Sequence, residues 1–165
     1  MSKYLTLFVT FLTFAACSPD GGKNTGLQAR QDSLREKQAI AYKPGFGDMM
    51  STIQVHHNKL WFAGINQNWE LADFEIHEIE EAIAAIENYH SGRAETRQIG
   101  MIKPALDSVE SAIKQQQSAA FKGSYILLTN TCNHCHKATN YSFIQIKVPD
   151  APPFSNQEFR PNHEQ

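Results

Sequence analysis

After residue 47, apolar residues return every three or four positions in four stretches, the period an α-helix needs to bury one face. From about Asp48 to Gln67 the stripe is Met50, Ile53, His57, Leu60, Trp61 and Gly64. From about Trp69 to His90 it is Trp69, Ala72, Ile76, Ile79, Ile83 and Ile86, backed by an acidic face of Glu75, Glu78, Glu81 and Glu87. Pro104 suits the first turn of a third helix, where its missing N–H costs nothing, and Leu106, Val109 and Ile113 follow on one side. A fourth stretch, about Ser118 to His136, aligns Phe121, Tyr125, Leu128 and Cys132. "SGRAETRQIG", residues 91–100, is expected to be a loop. The fold class expected is all-α, an antiparallel four-helix bundle.

The two ends of the chain are patterned differently. The tail "NYSFIQIKVPDAPPFSNQEFRPNHEQ" alternates briefly over residues 143–148, and its prolines then forbid a helix. An extended path over the bundle is expected, with Phe154 and Phe159 as anchors. Ahead of the bundle, "LQARQDSLREKQAIAY" is a candidate helix with apolar positions only at Leu27, Leu34 and Ala41, too thin a stripe to bury much, and is expected to be a loosely packed lead segment. Residues 18–26, rich in Gly, Asn and Ser, are expected to be a flexible tether. The chain begins with one cation, Lys3, and an apolar run from Tyr4 to Ala16. Thirteen residues are too few to span a bilayer but suit the core of a signal peptide. Ala15 and Ala16 lead into Cys17, which resembles a bacterial lipoprotein signal, with Phe14 standing where an aliphatic residue is usual. That resemblance implies lipidation of Cys17; the alternatives are an ordinary secretory signal or a buried apolar segment. The expected division is a signal peptide at 1–16, a lipid-anchored tether and lead segment at 17–43, the cofactor-binding bundle at 44–140 and the extended tail at 141–165.

Composition narrows the possibilities. A chain of 165 residues holds one domain with a real core. Cleavage of the signal would leave 14 basic against 17 acidic side chains, a formal −3 before termini. No basic face is available for nucleic acid, and a mildly acidic surface suits a basic redox partner. Of the three cysteines, a lipidated Cys17 would leave only Cys132 and Cys135. Ser18, rather than Asp, follows Cys17, which under the enteric sorting rule favours the outer over the inner membrane.

Those two cysteines lie in "TNTCNHCHKAT", residues 129–139. Cys-x-x-Cys-His is the attachment signature of c-type haem. Two thiols three residues apart on a helical turn can each form a thioether to the same edge of one porphyrin. The next residue, His136, then lies beneath the ring as the proximal iron ligand. From composition alone the pattern should occur about 0.002 times in such a chain. A zinc site would crowd Cys132, Cys135, His134 and His136 too closely to close a tetrahedron. A redox dithiol should follow a strand, and this motif follows a helical stretch. A disulfide leaves His136 without a role.

A four-helix bundle with CxxCH near its C-terminal end resembles cytochrome c′, and Cys132, Cys135 and His136 match its motif residue by residue. "STIQVHHNKLWFAGINQNWELADFEIHEIEEAI" and "TNTCNHCHKATNYSFIQIKVPDAPPFSNQEF" are also similar to bacterial exported bundle cytochromes with a Pro-rich tail. The tail departs from ordinary cytochrome c′, whose chain ends soon after the haem helix. The resemblance implies one covalent haem c per chain and a distal residue supplied by the first helix. His57 and Met50 are the candidates for the sixth iron position, His57 also being readable as a boundary histidine and Met50 as plain core. His56 is expected to be solvated. Lys59, Arg93, Arg97 and Lys103 are candidates for haem propionates, and Trp61 and Trp69 for haem wall or core. Glu87 and His90 carry the Glu-x-x-His spacing of di-iron bundles, but a single copy reads as surface charge.

The expectation is a monohaem c-type cytochrome carrying single electrons between redox proteins of the cell envelope. It would be exported, periplasm-facing and anchored by lipid, with no catalytic residues and not an enzyme. The alternatives are a haem protein with an open distal face for NO, CO or O₂, and a non-haem interaction module built on a disulfide or zinc knuckle. The sequence leaves monomer or dimer open.

Overall fold

Each of the four apolar stripes forms a helix in the computed structural model, which describes residues 21–41 and 43–162. The chain divides into two units between Tyr42 and Lys43. Among the described residues there are six α-helices, one short 3₁₀ turn and no strand, so the fold is all-α. None of these helices is long and apolar enough to cross a membrane. The expected signal segment and Cys17 lie outside the described residues.

The first unit contains helix α1 (Gly21–Ala41). It begins inside the stretch expected to be a tether, because no proline between Gly21 and Ala41 stops the helix from running back. Leu27 and Leu34 are exposed along it.

The second unit holds α2 (Phe46–Ile65), α3 (Trp69–Tyr89), α4 (Ala94–Ile99), α5 (Lys103–Lys114) and α6 (Ser118–Ala138). Helix α4 corrects the expected loop: Arg93 enters it in an extended conformation, and the Thr96 hydroxyl donates to the His90 carbonyl at 2.8 Å. The 3₁₀ turn Gly100–Ile102 then joins α4 to α5, where Pro104 sits in the first turn as expected.

The ends of these helices are locally specified. The Asn68 side chain caps α3 by accepting from the Leu71 N–H at 3.2 Å. Helices α2, α5 and α6 each close with a residue in the left-handed region, Gln67 (φ 58°), Gln116 (φ 53°) and Asn140 (φ 66°). At each end the next residue's N–H returns to a carbonyl five residues back, as Tyr141 does to His136 at 2.7 Å.

Helix α2 packs against α3 and α6, and α5 packs against the same two. Their shared core includes Leu60, Ala72, Ile76, Ile79, Ile86, Val109, Phe121, Tyr125 and Leu128. Each large apolar side chain buried here contributes about 1.5–3 kcal/mol relative to exposure. Met49 rather than Met50 is buried on α2, since Met50 borders a hollow instead of packed side chains. The tail forms no strand over residues 143–148. Its anchor is Phe159, buried against Phe62 with ring centroids 5.7 Å apart, whereas Phe154 stays half exposed.

Candidate functional site

The C-terminal half of α6 faces a cavity of about 440 Å³, within the size range of small-molecule and cofactor sites. Cys132, Cys135 and His136 all line it. The opposite wall is apolar and comes from Phe46, Met50 and Ile53 of α2, Ile83 of α3, and Ile99 and Ile102 around the 3₁₀ turn. Ile144 and Ile146 of the tail complete it. Residues from every part of the second unit except α5 thus converge on the motif.

The orientation of His136 is set by chemistry. Its Nδ1 lies 2.9 Å from the Ile144 carbonyl oxygen, which can only accept a hydrogen bond. Nδ1 therefore carries the proton, and the lone pair of the neutral ring sits on Nε2. A histidine that ligates a metal is held in this way, with its other nitrogen donating to a carbonyl. The backbone N–H of Tyr141 donates to the His136 carbonyl, so the turn after α6 grips this residue twice.

Cys132 and Cys135 are both free thiols. Burial pushes both up, Cys132 to about 12, so each is a neutral thiol near pH 7. Reactive dithiols are shifted the opposite way, toward the thiolate. Among the described residues no three His, Cys, Asp or Glu side chains are grouped so as to hold a metal ion.

A haem fits these residues: two thiols, an imidazole nitrogen with its lone pair available and a large apolar hollow lie together. Cys132 and Cys135 would hold its edge, and His136 Nε2 would bind its iron.

The two distal candidates differ sharply. His57 borders the cavity but is buried, and both ring nitrogens are engaged, Nε2 with the Thr129 hydroxyl and Nδ1 with the Tyr125 hydroxyl, each at 3.0 Å. Its ring stacks on Tyr125 with centroids 4.5 Å apart. Burial holds its pKa down at about 4, so it is neutral near pH 7. Iron binding by His57 requires breaking one of these bonds. Met50 borders the cavity half-buried and gives up no hydrogen bond in order to coordinate.

Of the cations considered, Arg93 alone lines the cavity. Its guanidinium lies over the Phe46 ring at 4.7 Å and bonds Glu95 at 2.7 Å. That bond holds the Glu95 carboxyl down at about 2, and the Tyr141 hydroxyl donates to the same oxygen at 3.1 Å. Lys103 pairs with Glu87 and Lys59 lies near Glu75, while Arg97 does not line the cavity. Trp61 and Trp69 are core rather than cavity wall, both packing on Phe121. Glu87 pairs with Lys103, whereas His90 is part-buried rather than surface charge and donates from Nε2 to the Pro44 carbonyl at 2.9 Å.

Two residues behave differently from expectation. His56 is half-buried rather than solvated, donating from Nδ1 to Glu75 at 2.6 Å. Glu75 is fully buried instead of lying on the acidic face, with Oε1 3.8 Å from the Lys59 ammonium. The spacing Ala72, Glu75, Ile79 was the available signal, since it places Glu75 on the apolar stripe. The roles of Asn133, Ile144 and Tyr141 had no signal in the motif itself.

The chain matches no protein-family model, no curated protein sequence and no solved structure.

Proposed function

We propose that the chain is a monohaem c-type cytochrome that carries single electrons within the cell envelope. The observation that supports it most is the convergence of Cys132, Cys135 and His136 on one apolar cavity, with the His136 ring held in the Nδ1–H tautomer by Ile144. Cys132 and Cys135 would hold the haem through one thioether each, so that the cofactor would not exchange. His136 offers Nε2 as the proximal ligand. A bound haem supplies a one-electron iron couple at this position. Phe46, Ile53, Ile83, Ile99 and Ile102 would surround that centre with apolar surface, and Arg93 at the cavity wall offers a cation for a carboxylate.

The helices α2, α3, α5 and α6, each packed against two of the others, suit an antiparallel four-helix bundle like that of cytochrome c′. In the same proposal the N-terminal segment is a lipoprotein signal and Cys17 bears the anchor, in the outer membrane, facing the periplasm. Redox proteins of the envelope are the partners. Cys17→Ala should release the protein from membranes, and unchanged membrane association would contradict that part.

A second possibility is favoured by one observation, the engagement of both His57 nitrogens. With His57 held by Thr129 and Tyr125, Met50 is the remaining candidate for the sixth position. If Met50 does not coordinate, the iron is open and the protein binds NO, CO or O₂. Absorption spectra of the full chain, oxidised, reduced and exposed to CO, decide between them. Sharp low-spin bands unmoved by CO, lost in Met50→Ala, are expected of the electron carrier. Broad high-spin bands that shift with CO would assign the gas-binding role.

A further inference from the structure

The first spacer residue of the CxxCH motif does something its position does not require. Asn133 lies three residues before His136, so the two side chains occupy neighbouring positions on one face of α6. Its side-chain amide meets the backbone of a single tail residue twice. Asn133 Nδ2 donates to the Ile146 carbonyl, and the Ile146 N–H donates to Asn133 Oδ1, both at 2.8 Å. That reciprocal pair is the one a neighbouring strand would offer an extended residue. An amide side chain supplies both a donor and an acceptor, and Asn is the shorter of the two residues that carry one.

The consequence falls on His136. Ile144, whose carbonyl accepts from His136 Nδ1, is two residues from the clamped Ile146. On the other side, the Ile144 N–H bonds the Tyr141 carbonyl at 2.8 Å, and Tyr141 is itself tied to the His136 backbone. The segment 141–146 is thus held at both ends against the last turns of α6. Ile144 is 43% exposed and its side chain provides little anchoring of its own. Without the Asn133 clamp, no hydrogen bond to α6 holds the segment on the Ile146 side, and the nearest fixed points are the turn at Tyr141 before it and Val148, packed on the core, after it.

We propose that Asn133 is a positioning residue that, by clamping the backbone of Ile146, holds the Ile144 carbonyl on Nδ1 of His136 and thereby sets the orientation and donor strength of the iron ligand. This rests on the cytochrome assignment above. A carbonyl on Nδ1–H increases the basicity of the ligating nitrogen. Stronger donation favours the oxidised iron, so releasing the carbonyl should raise the reduction potential.

The test uses the full chain made with c-type haem maturation, as wild type, Asn133→Leu, Ile146→Pro and the double variant. Ile146→Pro removes the N–H of the clamp from the tail side without touching the motif, and keeps an apolar ring where Ile146 lines the cavity. Covalent haem is measured first, by haem staining after denaturing electrophoresis, and the reduction potential second. The expected result is haem in all four proteins and an upward shift of similar size in both single variants. The double variant should shift no further than either single one, because both break the same clamp. Loaded Asn133→Leu and Ile146→Pro with the wild-type potential would overturn the positioning role and leave the cytochrome assignment standing. If Asn133→Leu is not loaded, Ile146→Pro carries the comparison by itself. Absence of covalent haem from the wild type would overturn the cytochrome assignment, and this inference with it.

Discussion

One apolar stripe on α6 has two fates. At its N-terminal end, Phe121, Tyr125 and Leu128 are completely buried; at its C-terminal end, Cys132, Cys135 and His136 continue the same face and border a cavity of about 440 Å³. The difference lies in what stands opposite. Facing Phe121 are Trp61, Trp69 and the bare backbone of Gly64, which fill the space to the point that a Cβ on Gly64 would come within 2.1 Å of the Phe121 ring. Facing the cysteines are Met50, Ile53, Ile83 and Ile102, none large enough to reach across. Protein interiors are normally packed without hollows of this size. A stripe that ends in thiols and an imidazole beside such a hollow is the arrangement on which the proposed cofactor assignment rests.

That contrast can be attacked at each end. The largest effect on stability is expected at the filled end. Gly64→Ala drives a methyl group into Phe121 and should destabilise the chain by about 3 kcal/mol, measured as a lowered urea midpoint. A loss under about 0.5 kcal/mol would mean the aromatic end is not tightly packed.

Between the two ends, His57 makes stability depend on pH. Its pKa is lowered by burial from 6.5 to about 4 in the folded chain. Between those values the unfolded chain binds a proton that the folded chain refuses, so stability falls as the pH drops from 6.5 to about 4. The loss approaches about 3 kcal/mol by the lower value and then levels off. His57→Phe should flatten urea midpoints across this window, and an unchanged pH slope in that variant would remove His57 as the source.

The smallest effect is expected at the hollow end. Ile102→Phe projects a larger side chain into free volume and should change the stability of the chain without haem by less than about 1 kcal/mol. The same substitution should lower the amount of covalent haem acquired. Full loading with Ile102→Phe would indicate that the cofactor does not use this space.

Much of this was legible because it is local. The period of three and four gave the long helices, and Cys132, Cys135 and His136 need only one helical turn to stand together. Pro104 and Phe159 also occupy the positions their chemistry suggested. What escaped depends on contacts distant in sequence. The Ile144 carbonyl reaches His136 only because the chain turns back after Asn140, a left-handed residue with no glycine to mark it. The exchange of Met50 for Met49 in the core follows from a cavity, and a stripe on one helix carries no information about what faces it. Glu75 was visible in register but masked by composition, since Glu81 in the same acidic run is exposed and Glu78 is partly so. The Arg93–Phe46 contact joins residues 47 positions apart and left no mark in either segment.

The central claim is that the hollow end of α6 carries covalent haem. The most direct measurement is haem staining after denaturing electrophoresis of the full chain made with c-type maturation, beside Cys132→Ala, Cys135→Ala and the double variant. The account predicts a stained wild-type band, sharply weaker bands for the single variants and none for the double. An unstained wild-type band, or a double variant stained as strongly as the wild type, would contradict it.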